Sequence, residues 1–275
     1  MQHIHIQRDG GVAILGIARR ERMNSLDVET ARDFRQAGLA LARDKDVRAV
    51  IVRGEGGVFC SGADLKYIRA GGKPEDLGYL APGAAHEGYG AIFKQILEYI
   101  HSTISEIRRA PKPFIAAVDG PAAAGGLGIA MACDLVVASE RSWFEWAYFK
   151  TGLTGAESST FFLPRLVGFH KAMELALLSP RLSAREALAI GLINDVFRDA
   201  EFDEKARSLA QRLAEAPTAA VGTAKALINR ASGMDRLDVH LDAELAALER
   251  SANGPNFAEG IDAFFEKRPP RFESE

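Results

Sequence analysis

The chain has 275 residues, 47% hydrophobic and 26% charged, with 34 Lys and Arg against 37 Asp and Glu for a net charge of −3. That length allows a substantial core, and the near balance of charge excludes a general attraction to nucleic acid or to anionic membranes. Cys60 and Cys133 are too few for a disulfide framework and lack metal-ligand spacing, so a reduced, cytoplasmic setting is expected.

The N-terminus MQHIHIQRDG alternates like a strand and has no basic region leading into an apolar one, which argues against a signal peptide. Ile4 and Ile6, then Val12, Ile14 and Ile17, flank Asp9-Gly10-Gly11 and predict a hairpin. A helix is expected over about 27–42, followed by the strand AVIVRG. The Gly- and Pro-rich stretch at 70–90 reads as a loop or lid forming one wall of a binding site. Ile92, Ile96, Ile100, Ile104 and Ile107 recur at spacings of four and three, an amphipathic helix that Pro111 ends. FIAAV and DLVVAS read as buried strands around a glycine-rich turn, and this strand-helix order gives an α/β class. The most apolar segment, 114–133, is broken by Asp119, Pro121 and four glycines, so no membrane span is predicted.

From Glu157 the pattern turns mostly helical, with LINDVF as a strand and Ser183 and Glu186 as a capping box. Amphipathic stretches at 201–215, 218–231 and 236–250 suggest a helical C-terminal region. The expected division is therefore a core at 1–200 and a helical region at 201–275, its tail partly disordered past Pro269.

Two segments carry chemistry. In AAVDGPAAAGGLGIAMACD, Gly125 and Gly126 leave main-chain N–H groups uncovered where a helix should begin, and FCSGADL has the same character after AVIVRG. One N–H from each would make an oxyanion hole. Other readings fit poorly. AGGLGIAM has Met131 where a dinucleotide fingerprint needs its third glycine, and no G-x-S-x-G occurs, Ser61 following Val58, Phe59 and Cys60. His3, His5, His86, His170 and His240 have no metal spacing, so no metal is expected.

ERMNSL, FCSGADLK, PKPFIAAVDGPAAAGGLGIAMACD, FLPRLVG and FFEKRPPRF, in that order along nearly the whole chain, resemble the crotonase or enoyl-CoA hydratase/isomerase superfamily. The resemblance implies a spiral core of ββα units, a helical C-terminal region that trimerises into a homotrimer or hexamer, and acyl-CoA thioester substrates with coenzyme A as part of the substrate and no separate cofactor. Ala63 and Gly125 would be the oxyanion-hole donors. The two hydratase glutamates fall on Gly128 and Tyr148, so ordinary two-glutamate hydration is not expected.

Three side chains remain as acid or base. His101 matches the base histidine of 4-chlorobenzoyl-CoA dehalogenase-like members, although a histidine on an apolar helical face is commonly a core residue. Tyr148 stands where those members carry a tryptophan, against the acyl group or simply in the core. Glu157 lies one residue after Ala156, the position of their nucleophile and of one isomerase glutamate. Glu157 would be an isomerase base, or else would close a capping box with Thr154. For substrate and coenzyme A the resemblance and the loops point to Arg22, Asn24, Ser61, Asp64, Lys66 and Gly126, with Asp64 also fit to cap the next helix. Phe264 and Lys267 would reach the nucleotide end from a neighbouring subunit. The expected function is an enolate- or oxyanion-stabilising enzyme of fatty or aromatic acyl-CoA metabolism. Alternatives are an aryl- or acyl-CoA hydrolase, a dehalogenase-like enzyme or an inactive acyl-CoA-binding relative.

Overall fold

The computed structural model describes residues 1–77 and 88–273; His86 and residues 78–87 of the expected lid lie outside them. β1 (Ile4–Asp9) and β2 (Val12–Ile17) pair antiparallel with Asp9 opposite Val12, leaving Gly10-Gly11 as the two-residue turn. Gly10, at φ 54°, supplies the left-handed residue that turn needs. α1 (Val28–Arg43) begins where Asp27 accepts the Thr30 N–H. β3 (Ala49–Gly54), the short α2 (Leu65–Arg69), the long α3 (Tyr89–Arg109) and β4 (Phe114–Val118) follow. Next come β5 (Pro121–Ala123), α4 (Gly125–Ala132), β6 (Leu135–Ser139) and β7 (Trp143–Glu145). α5 (Ser159–Val167), α6 (Phe169–Leu178), β8 (Leu182–Ser183), α7 (Ala184–Ala189) and β9 (Asp195–Phe197) lead to four C-terminal helices. These are α8 (Phe202–Glu215), α9 (Thr218–Ala231), α10 (Leu237–Ala252) and α11 (Pro255–Glu266).

The large sheet runs β1-β2-β3-β4-β6-β9 and is parallel except for its first pair. Alternate side chains explain why its inner strands are largely apolar. Leu15, Val50, Val52, Ala116 and Ala138 face the main core, whereas Val12, Ile14, Ile51, Ile115, Ala117 and Val137 face Phe202, Ala206, Ala210 and Ala214. Those four sit at intervals of four on α8, so the first C-terminal helix closes the sheet's second face. The capping box of Ser183 and Glu186 forms, opening α7.

A second sheet, β5-β7-β8, has strands of two or three residues and is not evident in the sequence. It places the site. Phe59 and Cys60 donate their N–H groups to Pro121 O, and Ala123 N–H donates to Cys60 O, so the loop after β3 runs alongside β5. The tail also differs from expectation. Asn256 and Glu273 exchange two hydrogen bonds, and Arg271 N–H donates to Glu259, folding 269–273 back onto α11.

Candidate active site

The alignment of these two segments brings the glycine-rich loops into contact. A Cβ built on Gly62 would lie 3.1 Å from Gly125 N and 2.9 Å from Ala124 Cβ. Leu26 takes up Gly62 O and Asp64 N–H, which turns the intervening Ala63 N–H to the opposite side. Ala124 spends its own N–H on Glu145 O and then adopts φ 47°, from which α4 begins at Gly125. Neither the Ala63 nor the Gly125 amide has a partner among the described residues, and both residues line one cleft of about 510 Å³. Two free donors on touching loops that line one cleft are suited to an anionic oxygen. Gly126 serves the approach itself, since any Cβ there would collide with Cys60 O.

Glu157 enters the same cleft from the other side. A Cβ on Gly125 would lie 2.7 Å from its Oε1, and one on Gly128 would meet its Cβ at 2.8 Å. The two glycines thus make the face of α4 on which Glu157 rests, and no side chain fits at Gly128. The carboxyl is buried at 3% exposure, with the Tyr148 hydroxyl donating to Oε2 at 2.6 Å. Burial raises Glu157 to about 7, the Tyr148 hydrogen bond pulling it down and the charge of Glu244 pushing it further up. The Tyr148 oxygen is also 3.1 Å from Ala156 O, so its one proton has a second acceptor whenever Glu157 is itself protonated. Burial and Glu157 together lift the Tyr148 phenol well above its usual range, which keeps it a neutral donor.

Thr154 and Glu157 do not form a capping box. α5 starts only at Ser159, Thr154 Oγ1 is buried without a partner, and Glu157 points to Tyr148. His101 stands apart from the cleft lining. It is buried with Nε2 unpartnered, 3.8 Å from Glu244 Oε2, and burial lowers it to about 4 despite that carboxylate. The imidazole is therefore neutral at neutral pH, and the contact is too long for a hydrogen bond.

The residues expected at coenzyme A divide. Ser61, Lys66 and Phe264 line the cleft, Lys66 and Phe264 exposed. Arg22 and Asp64 also line it but hold each other, Arg22 Nη2 lying 2.5 Å from Asp64 Oδ1, while Arg19 bridges Asp64 to Asp27. Burial pushes Asp64 up, but Arg22, the Tyr67 N–H it caps and Arg19 hold it net below its ordinary value. Asn24 is fully buried, accepting from Arg19 N–H and donating to Glu55 O and Val58 O, and so braces the loop without facing the cleft. Lys267 is the left-handed cap of α11, exposed and outside the lining.

Several lining residues escape sequence reasoning. Glu145 is buried between Lys150 and Arg181, and the Arg181 guanidinium lies 3.9 Å over the Trp143 ring. They come from separate short elements, so no local spacing marks them. Among the described residues no cluster of His, Cys, Asp or Glu could hold a metal ion, and both cysteines are free.

The sequence pattern of the family described as Enoyl-CoA hydratase/isomerase matches residues 7–275. The chain belongs to that family. Among its enoyl-CoA hydratase/isomerase relatives, 4-chlorobenzoyl coenzyme A dehalogenase-2 of an Arthrobacter species is 33% identical over 96% of this chain and 91% of its own. The 1,2-epoxyphenylacetyl-CoA isomerase of Escherichia coli K12 is 32% identical over 98% and 96%. The crystal structure of an enoyl-CoA hydratase from Mycobacterium avium subsp. paratuberculosis K-10 superposes with a TM-score of 0.85 at 31% identity, covering 99% of each chain. The fold is thus the crotonase fold, an α/β core with C-terminal helices. Family members include dehalogenases, hydratases and isomerases acting on acyl-CoA esters. No helix among the described residues is long and apolar enough to cross a membrane.

Proposed function

We propose that this family member moves a proton through a thioester enolate, with Glu157 as base and the Ala63 and Gly125 amides as the oxyanion hole. The observation that carries this reading is the Glu157 carboxyl resting against Gly125, beside a free amide in an apolar cleft. With the thioester oxygen between the two amides, Glu157 would remove a proton from the α-carbon, the C–H electron pair passing into the enolate. Charge then gathers on oxygen, where each donor contributes roughly 3 kcal/mol. Return of that proton to the γ-carbon of a β,γ-unsaturated ester shifts the double bond into conjugation and consumes no water. Tyr148 holds the carboxylate by its hydrogen bond and turns to Ala156 O while Glu157 carries the proton.

Hydration needs a second acid and a positioned water. Gly128 and Tyr148 supply no carboxylate, and Asp64 and Glu145 are tied up in ion pairs. The substrate class is a fatty or aromatic acyl-CoA, its phosphates met by Arg22 and Lys66 and its nucleotide by Phe264 and Lys267 of a neighbouring subunit. The assembly is a homotrimer or a hexamer, working in the cytoplasm. Exposed apolar side chains on α9 and α10, Leu227 at 63%, Ile228 at 64% and Val239 at 74%, support the assembly.

The test is Glu157→Gln assayed on 3-enoyl-CoA and aryl-CoA esters, following conjugated product and deuterium uptake at the α-carbon. Turnover is expected to fall at least about 100-fold, with calorimetric binding of the ester retained. Unchanged turnover removes Glu157 from the mechanism. Release of free coenzyme A would mark hydrolysis instead, and binding without any product would mark an inactive relative.

A further inference from the structure

Glu157 and Ser158 are consecutive non-glycine residues at φ 49° and 62°, a left-handed turn that L-residues adopt only under constraint. Ser158, at the start of α5, makes no side-chain cap of its own. Beyond the local Ser159 N–H to Ala156 O bond, a constraint comes from α10, 86 residues away. Glu244 Oε2 accepts the Ser158 N–H at 2.8 Å, and Oε1 accepts the Thr160 N–H at 2.9 Å together with the Thr160 hydroxyl. Glu244 is 4% exposed, with His240 3.7 Å and His101 3.8 Å from its oxygens.

We propose that Glu244 is a positioning residue for Glu157: by binding the first amides of α5 it fixes the left-handed turn that lays the Glu157 carboxyl against Gly125 and under the Tyr148 hydroxyl. This rests on Glu157 being the base, yet the placement is a property of the free protein. Ser159 N–H closes the turn locally onto Ala156 O at 2.9 Å, but the Ser158 and Thr160 amides are left to Glu244, and without it a relaxed turn would swing the carboxyl off α4. The charge adds a second effect. Burial favours neutral Glu244, but His240 and the Thr160 hydroxyl and N–H hold it net below its usual value, so it stays an anion whose field opposes ionisation of Glu157. Facing Glu157 are Tyr148 from the turn after β7, Cys60 from the loop after β3, pushed up by burial to about 12 and so neutral, and Glu244 from α10. Neutral His101 of α3, with Asp242 and His240 of α10, lies around Glu244.

The experiment labels glutamate with ¹³C at the carboxyl carbon, identifies the Glu157 resonance by its loss in Glu157→Gln, and titrates the full-length protein and two variants. Glu244→Gln keeps the size but presents an NH₂ to one of the two main-chain donors and removes the charge; Glu244→Ala removes both acceptors. In Glu244→Gln the Glu157 midpoint is expected to fall from near 7 and the Tyr148 ¹³Cζ resonance, labelled likewise, to shift as its hydrogen bond lengthens. Turnover of 3-enoyl-CoA should drop about 100-fold with KM changed less than about twofold, the signature of a displaced base. Folded variants with an unmoved Glu157 midpoint and an unmoved Tyr148 resonance would overturn the proposal. If Glu244→Ala does not fold, Glu244→Gln decides alone. Because the titration needs no turnover, a failure of Glu157 as base, seen as full activity of Glu157→Gln, is read separately.

Discussion

At the residue scale the proposed mechanism turns on the protonation of Glu157. As the proposed base, Glu157 must be ionised to accept a proton, so kcat/KM is expected to rise with pH through about 7 and to level off above, in a pH–rate profile. The same shift acts on stability with a definite sign. A carboxyl raised on folding binds its proton more tightly in the folded state, so its favourable contribution is complete below the unfolded value near 4.3 and is lost as pH rises towards 7. Glu157→Gln should therefore gain stability relative to the parent between pH 5 and pH 8, by roughly 3 kcal/mol. Urea unfolding at both pH values checks it, and a constant difference would mean that the carboxyl titrates ordinarily. Gly125→Ala tests the contact itself. Its methyl would stand 2.7 Å from Glu157 Oε1, so the carboxyl must move, and kcat should fall about 100-fold in a folded protein.

At the scale of elements, the site depends on helices and strands that carry no chemistry. α8 covers the face of the large sheet opposite the cleft, and Phe202 is its bulkiest contact there at 3% exposure. Phe202→Ala should cost about 3–5 kcal/mol in a denaturant titration, whereas an exposed change on the same helix, such as Lys205→Ala, should cost less than about 0.5 kcal/mol. Most main elements are readable from period and punctuation. Asp27 caps α1, Gly10 turns the first hairpin, and the isoleucine stripe of α3 faces the core. The strands of the second sheet are not readable, because two or three residues hold no period, and their pairing follows only once the large sheet has placed their ends.

At the scale of the molecule, a monomer would leave Leu227, Ile228 and Val239 in water. Analytical ultracentrifugation is expected to give a trimer or hexamer mass, and Ile228→Glu to shift it downward, since a charge cannot be buried unpaired in an apolar interface. A monomeric parent would remove the proposal that Phe264 and Lys267 act from a neighbouring subunit.

The sequence by itself determined the α/β class and the two small-residue loops, because these are local: a period, a glycine before a helix. Tertiary structure alone decided which candidates share the cleft. Glu157 and His101 are both acid-base residues beside apolar runs, yet the left-handed turn held by Glu244 carries one onto Gly125 while the packing of α3 against α10 shuts the other away from the cleft. That choice turns on burial and on contacts between residues dozens of positions apart, which no local pattern encodes.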